Sequence, residues 1–538
     1  MPVVPGLAKR PTGRRPARLP RGVGSCLSPV RRIGGLAPPP QGRVLAVSFL
    51  DGPTAAPPNP PIGRERWRGN SQAGRSPALT PRGPGGLRAG GARAGGSPAG
   101  GGGPGDSGGI TGTILDILRA YGARATFAVI GTTALNYPDE AGPAGSPYWN
   151  GQAYDHFPEY GRDDLAGVVA QPDLTRSILA GGHELANHSY RHIPLGPPPA
   201  AARRRTHHAG PAEAFSDVAQ LHEHVREYFG YTMRLAQPPY LVDTVARGSA
   251  GDGTAIRDVF DIYAALGYDY LGLGVDGGGW RETSGSYDFD VDAMVLGLQR
   301  MLESDGQALS GRVVSFRDGY NMSRRSPVVT ALPRLMQLFR NYGYKVVSVS
   351  ELLEMSPFSD LDPGHPAFPA AKGLLDEGWW VASRDNEVRP FDPVLRGELA
   401  VWAMGPGKCG PKPGVDDWQP GPVPVYVDVP LGHPHRGRVE AAAKRGFWRG
   451  LGRGRPAPPD ARGSRVFGLS DPVGPDEFRE VMGRAGVRLG DVAGLDLGVA
   501  AARDHEPDDG ARRSGSAGTS PGALTRAEAL VMIWGGRQ

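Results

Sequence analysis

The chain has 538 residues and a formal net charge of +5, and its length suits two to four domains. Its 82 glycines and 54 prolines are about a quarter of the sequence, a level at which low-complexity segments are expected. The two cysteines, Cys26 and Cys409, exclude a disulfide-rich scaffold and a cysteine-based zinc cluster. The longest apolar run, residues 44–50, is too short to cross a membrane.

The first part of the chain is basic and poor in apolar periodicity. Residues 1–105 contain only two acidic residues, and residues 1–40 are predicted to be a disordered basic tail. No apolar segment typical of a secretory signal follows the basic start. Residues 43–50 predict a buried strand, and the glycine-rich residues 55–110 predict a low-complexity insertion. Positive charge on a tail of this kind does not indicate a nucleic-acid partner.

Helix and strand patterns alternate from residue 111 onwards. Apolar spacing, caps and glycine stops predict the following elements: a helix at 111–122, a strand at 125–131, helix–turn–strand at 174–189, helix–strand at 259–276, a strand at 313–316, and helix–strand–helix at 328–354. Such alternation predicts a parallel α/β sheet or barrel over residues 41–354.

His188 and His192 are the sharpest local feature of this region. On a helical turn, residues four apart share a face, so both imidazoles could reach one ion. Asp51 follows the first predicted strand, and two histidines with one carboxylate are a catalytic metal arrangement. The alternative is two unrelated surface histidines.

The surrounding motifs resemble the metal-dependent polysaccharide deacetylases, also called NodB-homology carbohydrate esterases. That family's motifs T-F-D-D-G-P, H-[ST]-x-x-H, R-x-P-Y, an Asp–Trp element and a His before Asp-Gly correspond to residues 48–53, 188–192, 237–240, 276–280 and 316–319. The resemblance implies a distorted (β/α) barrel that removes acetyl groups from chitin-like or peptidoglycan sugars. It also implies a divalent metal ion, Zn²⁺ with Co²⁺ or Ni²⁺ as alternatives, held by Asp51, His188 and His192.

The groups that move protons in this family differ here. Leu50 stands where the family has its catalytic base, and Arg317 stands where it has its general acid. Gln237 and Gly279 replace an arginine and an aspartate that hold the base in place. Asp276 and Asp318 are possible stand-ins for the base.

Three interpretations therefore stay open. The chain is a divergent hydrolase of non-peptide carbon–nitrogen bonds, a metal-binding pseudoenzyme that holds glycan, or an α/β protein unrelated to acetyl chemistry. Losing a positioned acid or base typically costs about 10²–10⁴-fold in rate, so these departures bear directly on the choice.

Residues outside the metal triad have a functional and a structural interpretation each. The resemblance implies that Pro239, Tyr240 and Trp280 contact substrate, although a rigid turn and a core tryptophan explain the same residues. His183 is predicted to be structural, and the pair at 207–208, in a basic loop, is predicted to be solvated surface.

The C-terminal part, residues 355–538, contains an imperfect, mainly helical repeat. Its segments at 358–403, 426–486 and 489–535 resemble S-layer homology repeats, which bind secondary cell-wall polysaccharide. The resemblance implies wall-anchoring roles for Arg396, Glu398, Arg526 and Glu528, and an extracellular, wall-associated protein. The alternative is that these arginines and glutamates only tie the repeats together.

Overall fold

The computed structural model describes residues 30–39, 42–54, 109–132, 148–149, 152–153, 166–197, 207–246, 256, 258–278, 280–283, 286–289, 291–317, 327–383, 385–406, 426–429, 436–448, 467–491 and 523–538. The predicted insertion at 55–110 lies outside these ranges, apart from Gly109 and Ile110. Across these ranges, every helix is too short or too polar to cross a membrane.

Thirteen strands are found in the described residues. In chain order they are β1 (Arg32–Ile33), β2 (Val44–Gly52), β3 (Thr126–Val129), β4 (Tyr148–Trp149), β5 (Gln152–Ala153), β6 (Glu184–Asn187), β7 (Leu235–Ala236), β8 (Asp269–Leu271), β9 (Val275–Asp276), β10 (Trp280–Thr283), β11 (Ser286–Phe289), β12 (Val313–Arg317) and β13 (Lys345–Val347).

Nine of these strands form one parallel sheet that curls into a half-barrel. The order is β1-β8-β7-β6-β3-β2-β12-β9, and β13 pairs with the first half of β2. The pairs β10–β11 and β4–β5 form two separate antiparallel hairpins. Strand β2 is central in the sheet, since it pairs with β3, β12 and β13. All nine of its residues are buried, as expected for a parallel strand covered on both faces.

Twelve α-helices accompany the strands in the described parts of the chain. They are α1 (Gly109–Ala120), α2 (Pro172–Ala180), α3 (Pro211–Phe229), α4 (Val259–Leu266), α5 (Val291–Ser304), α6 (Pro327–Asn341), α7 (Val349–Met355), α8 (Phe368–Asp376), α9 (Arg396–Ala403), α10 (Arg436–Lys444), α11 (Pro475–Arg484) and α12 (Arg526–Gly535).

Local chemistry explains where several helices begin and end. Helix α7 begins with a capping box, in which Ser348 and Glu351 satisfy each other's backbone N–H groups. Helix α4 is capped by the Asp258 carboxylate and ends at Gly267, which takes a left-handed conformation. The predicted α1, α2, α4, α6 and α7 are confirmed within a few residues. The sequence analysis did not predict α3 or α5.

The two faces of the half-barrel have different cores. The outer face carries aromatic residues, with the Phe49 ring stacked between Phe127 and Phe316. The inner face is lined by small and branched residues, including Ala128, Ala186 and Leu235. Because side chains alternate along a strand, the inner position two residues beyond Leu235 belongs to Gln237.

The N-terminal prediction needs a correction. Residues 30–39, assigned above to a disordered tail, include β1, which pairs with β8 in the sheet. Ile33 is fully buried, and the Ala37 N–H donates to the Phe358 carbonyl. This pairing joins distant parts of the chain, so local composition gave no signal for it.

The C-terminal region is mainly helical in its described parts, and three of its segments meet around a ring of backbone hydrogen bonds. The Val394 N–H donates to Leu524, Leu524 donates to Val473, and Val473 donates back to Val394, at 2.8–2.9 Å. Each of these residues lies two positions before a helix, α9, α12 or α11. The three helix starts therefore occupy equivalent positions around this ring.

Candidate metal centre

Asp51, His188 and His192 converge at the carboxyl edge of the half-barrel. Their ligand atoms all lie within 4.8 Å of one another, and all three residues are buried. The Asp51 Oδ1 atom is 3.1 Å from His188 Nε2 and 3.3 Å from His192 Nε2. Among the residues that the structure describes, this is the group found to have metal-binding geometry.

A β-bulge places Asp51 in this position. In the pairing of β2 with β3, Leu50 lies opposite Ala128 and Gly52 lies opposite Val129, so Asp51 is an extra residue. Its φ of 74° is left-handed. Bulges of this kind re-aim a side chain next to active sites, and here the bulge turns the carboxylate towards the histidines.

The two histidines come together through a tight loop, which corrects the expectation of a helical turn. Ser189 and His192 both have positive φ angles, 67° and 54°, which an α-helix does not allow. The Asn187 carboxamide oxygen accepts from the Ser189 N–H, and the Ser189 hydroxyl accepts from the His192 N–H. These side-chain bonds hold the loop.

Backbone strain concentrates at this centre. Seven non-glycine residues have positive φ in the described residues, and five of them are Asp51, Ser189, His192, Tyr240 and Leu241. Such conformations cost on the order of 1–3 kcal/mol each, and they cluster at functional sites.

The hydrogen bond of His188 defines its tautomer. Its Nδ1 is 2.9 Å from the Gln237 carbonyl oxygen, which can only accept, so Nδ1 carries the proton. Burial lowers the pKa of His188 and outweighs the raising effect of Asp51. The ring is thereby oriented with its Nε2 facing Asp51.

The Asp51 carboxylate is ionised. Burial opposes ionisation, yet the hydrogen bonds and charges of His188 and His192 hold the pKa of Asp51 well below its usual range. One carboxylate oxygen and two imidazole nitrogens, all buried, lie within 4.8 Å of one another. The residues thus fit a metal ion, since metal ligands must be deprotonated and one ring nitrogen is fixed by an outer hydrogen bond.

Leu50 and Arg317, which stand at the expected base and acid positions, do not form a proton-transfer pair. Leu50 is 8% exposed and belongs to the apolar inner core. Arg317, at the end of β12, has its Nε 3.8 Å from Asp51 Oδ2. A guanidinium stays protonated at all physiological pH values, so Arg317 supplies positive charge and does not act as a general acid.

Gln237 is fully buried, and its side-chain amide has no hydrogen-bond partner among the described residues. Its backbone is engaged, because the carbonyl holds His188 and the N–H donates to Asn187. Buried polar groups without partners are uncommon in proteins. The Gln237 side chain is therefore unsatisfied by the described protein groups.

The predicted substrate-contact residues are described in part. The Tyr240 ring packs on His192 with a centroid distance of 4.9 Å, and Pro239 is buried beside it. The backbone of Trp280 opens β10, and nothing is described for its side chain. Asp276 is exposed and accepts the Gly278 N–H. Asp318 and Gly279 lie outside the described residues.

Two other histidines, His183 and His208, are both buried, whereas only His183 was predicted to be structural. His183 is structural, as predicted: its Nδ1 accepts the Ala125 N–H at 3.2 Å. His208 was predicted to be solvated surface, and this is wrong. It is 1% exposed and its Nε2 is 3.2 Å from Asp217 Oδ2. Arg191 donates to the same carboxylate, so this cluster buries the histidine and fixes the loop next to His192.

The four predicted wall-anchoring residues are engaged within the protein. Arg526 pairs with Glu398 of another repeat and donates to two backbone carbonyls. Arg396 pairs with Asp471 and Glu477, and Glu528 caps its own helix. These contacts fit the interpretation in which the residues tie the repeats together.

Comparisons with known proteins agree with the site in part. The polysaccharide deacetylase family model matches residues 103–250. This segment contains His188 and His192, while Asp51 lies upstream of it. No curated protein matches the chain.

Several solved structures are distantly similar. Peptidoglycan deacetylase PdaC from Bacillus subtilis is 18% identical, with 58% of this chain and 91% of that chain covered and a TM-score of 0.31. The chitin deacetylase of Colletotrichum lindemuthianum is 18% identical over 60% and 92%, with a TM-score of 0.32. A CE4 family pseudoenzyme from Bacillus anthracis is 17% identical over 45% and 60%, with a TM-score of 0.28.

Proposed function

We propose that this chain is a divergent polysaccharide deacetylase that holds a divalent metal ion at Asp51, His188 and His192. The observation that carries the proposal is the geometry of the triad, in which three buried ligand atoms lie within 4.8 Å of one another. The match of residues 103–250 to the deacetylase family model supports it. The substrate class is an acetylated amino-sugar polymer, such as chitin or peptidoglycan.

Two nitrogen ligands and one oxygen ligand suit Zn²⁺, with Co²⁺ or Ni²⁺ as alternatives. Such an ion would polarise an acetyl carbonyl and acidify a water molecule. The chain itself contributes the fixed tautomer of His188 through the Gln237 carbonyl. Arg317 adds a positive charge on the open side of the triad, where it can stabilise developing negative charge.

Proton transfer is the weak part of this centre. Leu50 cannot accept a proton from water, and Arg317 cannot deliver one to a leaving amine near neutral pH. Asp276 is exposed and already accepts a backbone hydrogen bond. We therefore expect a deacetylation rate about 10²–10⁴-fold below that of an enzyme with both groups.

The second candidate is a metal-binding pseudoenzyme that holds glycan without hydrolysing it. The apolar Leu50 and the unsatisfied Gln237 favour this candidate, because they occupy the inner positions where a base and its partner are needed.

Metal content and acetate release separate the candidates. We expect about one equivalent of Zn²⁺ by mass spectrometry after reconstitution, lost in His188→Ala and kept in His224→Ala, a half-buried histidine outside the triad. Acetate released from the tetramer of N-acetylglucosamine above a chelated control supports the enzyme. Full metal content without acetate supports the pseudoenzyme, and equal metal in both variants refutes the site.

We further propose that residues 355–538 attach the protein to cell-wall polysaccharide outside the cell. The three equivalent helix starts around one hydrogen-bonded ring support a repeat domain of this kind. Co-sedimentation of the full chain with purified cell wall tests it. Sedimentation that persists after chelation is expected, and no sedimentation, or complete loss on chelation, would contradict anchoring.

A further inference from the structure

We infer that the cavity between the half-barrel and the C-terminal helical region is a second glycan site, which takes an amino-sugar chain bearing a carboxylate. The cavity has a volume of about 440 Å³, within the range of small-ligand pockets, which favour domain interfaces. Both parts of the chain form its wall. This site goes beyond the proposed function, since it is separate from the metal centre.

The cavity lies at the opposite edge of the sheet from the triad. Arg234 directly precedes β7 and Asp269 begins β8, so the wall uses the amino ends of these strands. The triad follows the carboxyl ends of β2 and β6. In a parallel sheet these ends are on opposite edges, so a ligand in the cavity would leave the metal centre open.

Two tryptophans from the C-terminal region line the cavity. Trp379 is 3% exposed and has the Arg537 guanidinium over its ring, whereas Trp380 is half-buried and offers the accessible ring. The Trp380 carbonyl accepts the indole N–H of Trp402, which fixes this segment. Indole rings provide large rigid apolar faces with little loss of conformational entropy, and such faces suit the C–H surfaces of sugar rings.

Asn386 supplies an unsatisfied acceptor in the cavity wall. The side chain is fully buried, and its Nδ2 donates to the Arg32 carbonyl at 2.6 Å. Its Oδ1 has no hydrogen-bond partner among the described residues. A buried acceptor left unpaired costs roughly 1–3 kcal/mol, and because this oxygen is shielded from solvent it does not define the ligand.

The free charges of the cavity favour an anion. Two ion pairs in its wall are internally neutral, Arg31 with Asp269 and Lys372 with Asp376. Arg234 is exposed and has no carboxylate within ion-pair distance among the described residues. Arg438 donates one bond to the Gly405 carbonyl, while Glu354 is the opposing carboxylate.

These features together define the ligand class. Arg234 and Arg438 against Glu354 leave a single positive charge, which matches one carboxylate on the ligand. The accessible ring of Trp380 matches a sugar ring. A glycan of alternating neutral and carboxylated amino sugars has both groups.

Titration of the full chain with two matched tetrasaccharides tests this site. One alternates N-acetylglucosamine with N-acetylmuramic acid, and the other is the tetramer of N-acetylglucosamine, which lacks the carboxylates. Tryptophan fluorescence and calorimetry are measured on chelated protein, so that the metal centre does not contribute. We expect the carboxylated ligand to bind about tenfold more tightly, as for one charge-assisted contact.

Two variants and one control decide the outcome. Arg234→Gln should abolish the tenfold preference, and Trp380→Leu should weaken both ligands, while Arg226→Gln, on the exposed face of α3, should change neither. Equal affinity of the wild type for both ligands, an unchanged preference in Arg234→Gln, or no binding at millimolar concentration would overturn the inference. Failure here leaves metal content and acetate release unaffected.

Discussion

The half-barrel and the C-terminal helical region both bury charged side chains, but they satisfy them in different ways. In the C-terminal region, Arg526 meets Glu398 and two carbonyl groups, and Arg396 meets Asp471 and Glu477. Every one of these contacts joins a donor to an acceptor. The protein alone completes the network.

At the carboxyl edge of the half-barrel, the contacts are of another kind. Asp51, His188 and His192 bring three potential metal-ligand atoms within 4.8 Å of one another. Close by, both ends of the Gln237 amide are unpaired within the described parts of the chain. Buried polar groups that find all their partners within the protein have a structural role. Buried polar groups without such partners indicate a missing ligand.

The largest expected effect comes from removing a triad member. Loss of an outer-shell partner costs about 10–100-fold in metal affinity, and we expect loss of a ligand in His188→Ala to cost at least about 10³-fold. Competition against a chromophoric chelator measures this. An affinity within threefold of the wild type would place the ion elsewhere.

Breaking the ion-pair network of the C-terminal region should destabilise the fold and leave the metal affinity unchanged. Arg526→Ala leaves Glu398 without its partner, and we expect a loss of about 3 kcal/mol in the free energy of unfolding. The control Arg479→Ala breaks an exposed pair with Asp476, which is worth at most about 1 kcal/mol. Urea unfolding measures both. A stable Arg526→Ala with reduced wall binding would make Arg526 a glycan contact.

A carboxylate at position 50 should restore proton transfer. We expect Leu50→Asp to raise acetate release by about 10²-fold, because a carboxylate next to Asp51 can accept a proton from water. Leu50→Asn is the matched control, being of similar size and not ionisable. If both variants hold metal and release acetate equally slowly, the centre is a pseudoenzyme.

The sequence predicted the strongly periodic elements and the members of the triad, but not how the triad is built. The four-residue spacing of His188 and His192 imitates a helix, whereas Ser189 turns the chain with a positive φ. Helix α3 was missed although Pro211 and Gly230 mark its ends. Its apolar positions are diluted by charged residues.

Other features depend on partners that are distant in sequence. Strand β1 has two residues and exists because β8, more than 200 residues later, pairs with it. Arg526 and Glu398 are 128 positions apart, and the bulge at Asp51 is visible only against β3. Local patterns carry no information on such pairings.

His183, within the half-barrel, is a buried histidine whose hydrogen-bond partner is supplied by the protein. Its Nδ1 accepts the Ala125 N–H, so protonation would break that bond. Burial, with Arg119 and Arg124 nearby, lowers its pKa to about 4. The unfolded state therefore binds a proton that the folded state does not between about pH 6.5 and pH 4, and stability falls as the pH falls through this window.

The variant His183→Asn tests this assignment, because asparagine keeps an acceptor and cannot titrate in that window. Both proteins should lose unfolding free energy between pH 7 and pH 4. We expect the loss in the variant to be about 2 kcal/mol smaller than the loss in the wild type. Parallel pH profiles of the two proteins would contradict the assignment.

The smallest expected change in stability tests whether the buried Gln237 amide lacks hydrogen-bond partners. If its buried amide has no partner, Gln237→Met removes an unsatisfied group at nearly constant volume, and the free energy of unfolding should rise by about 1 kcal/mol. The exposed Gln299→Met, on α5, should change it by less than about 0.5 kcal/mol. A loss of stability in Gln237→Met would mean that a bound water molecule makes hydrogen bonds to the amide. Gln237 would then be a satisfied buried residue, like Arg526 and His183.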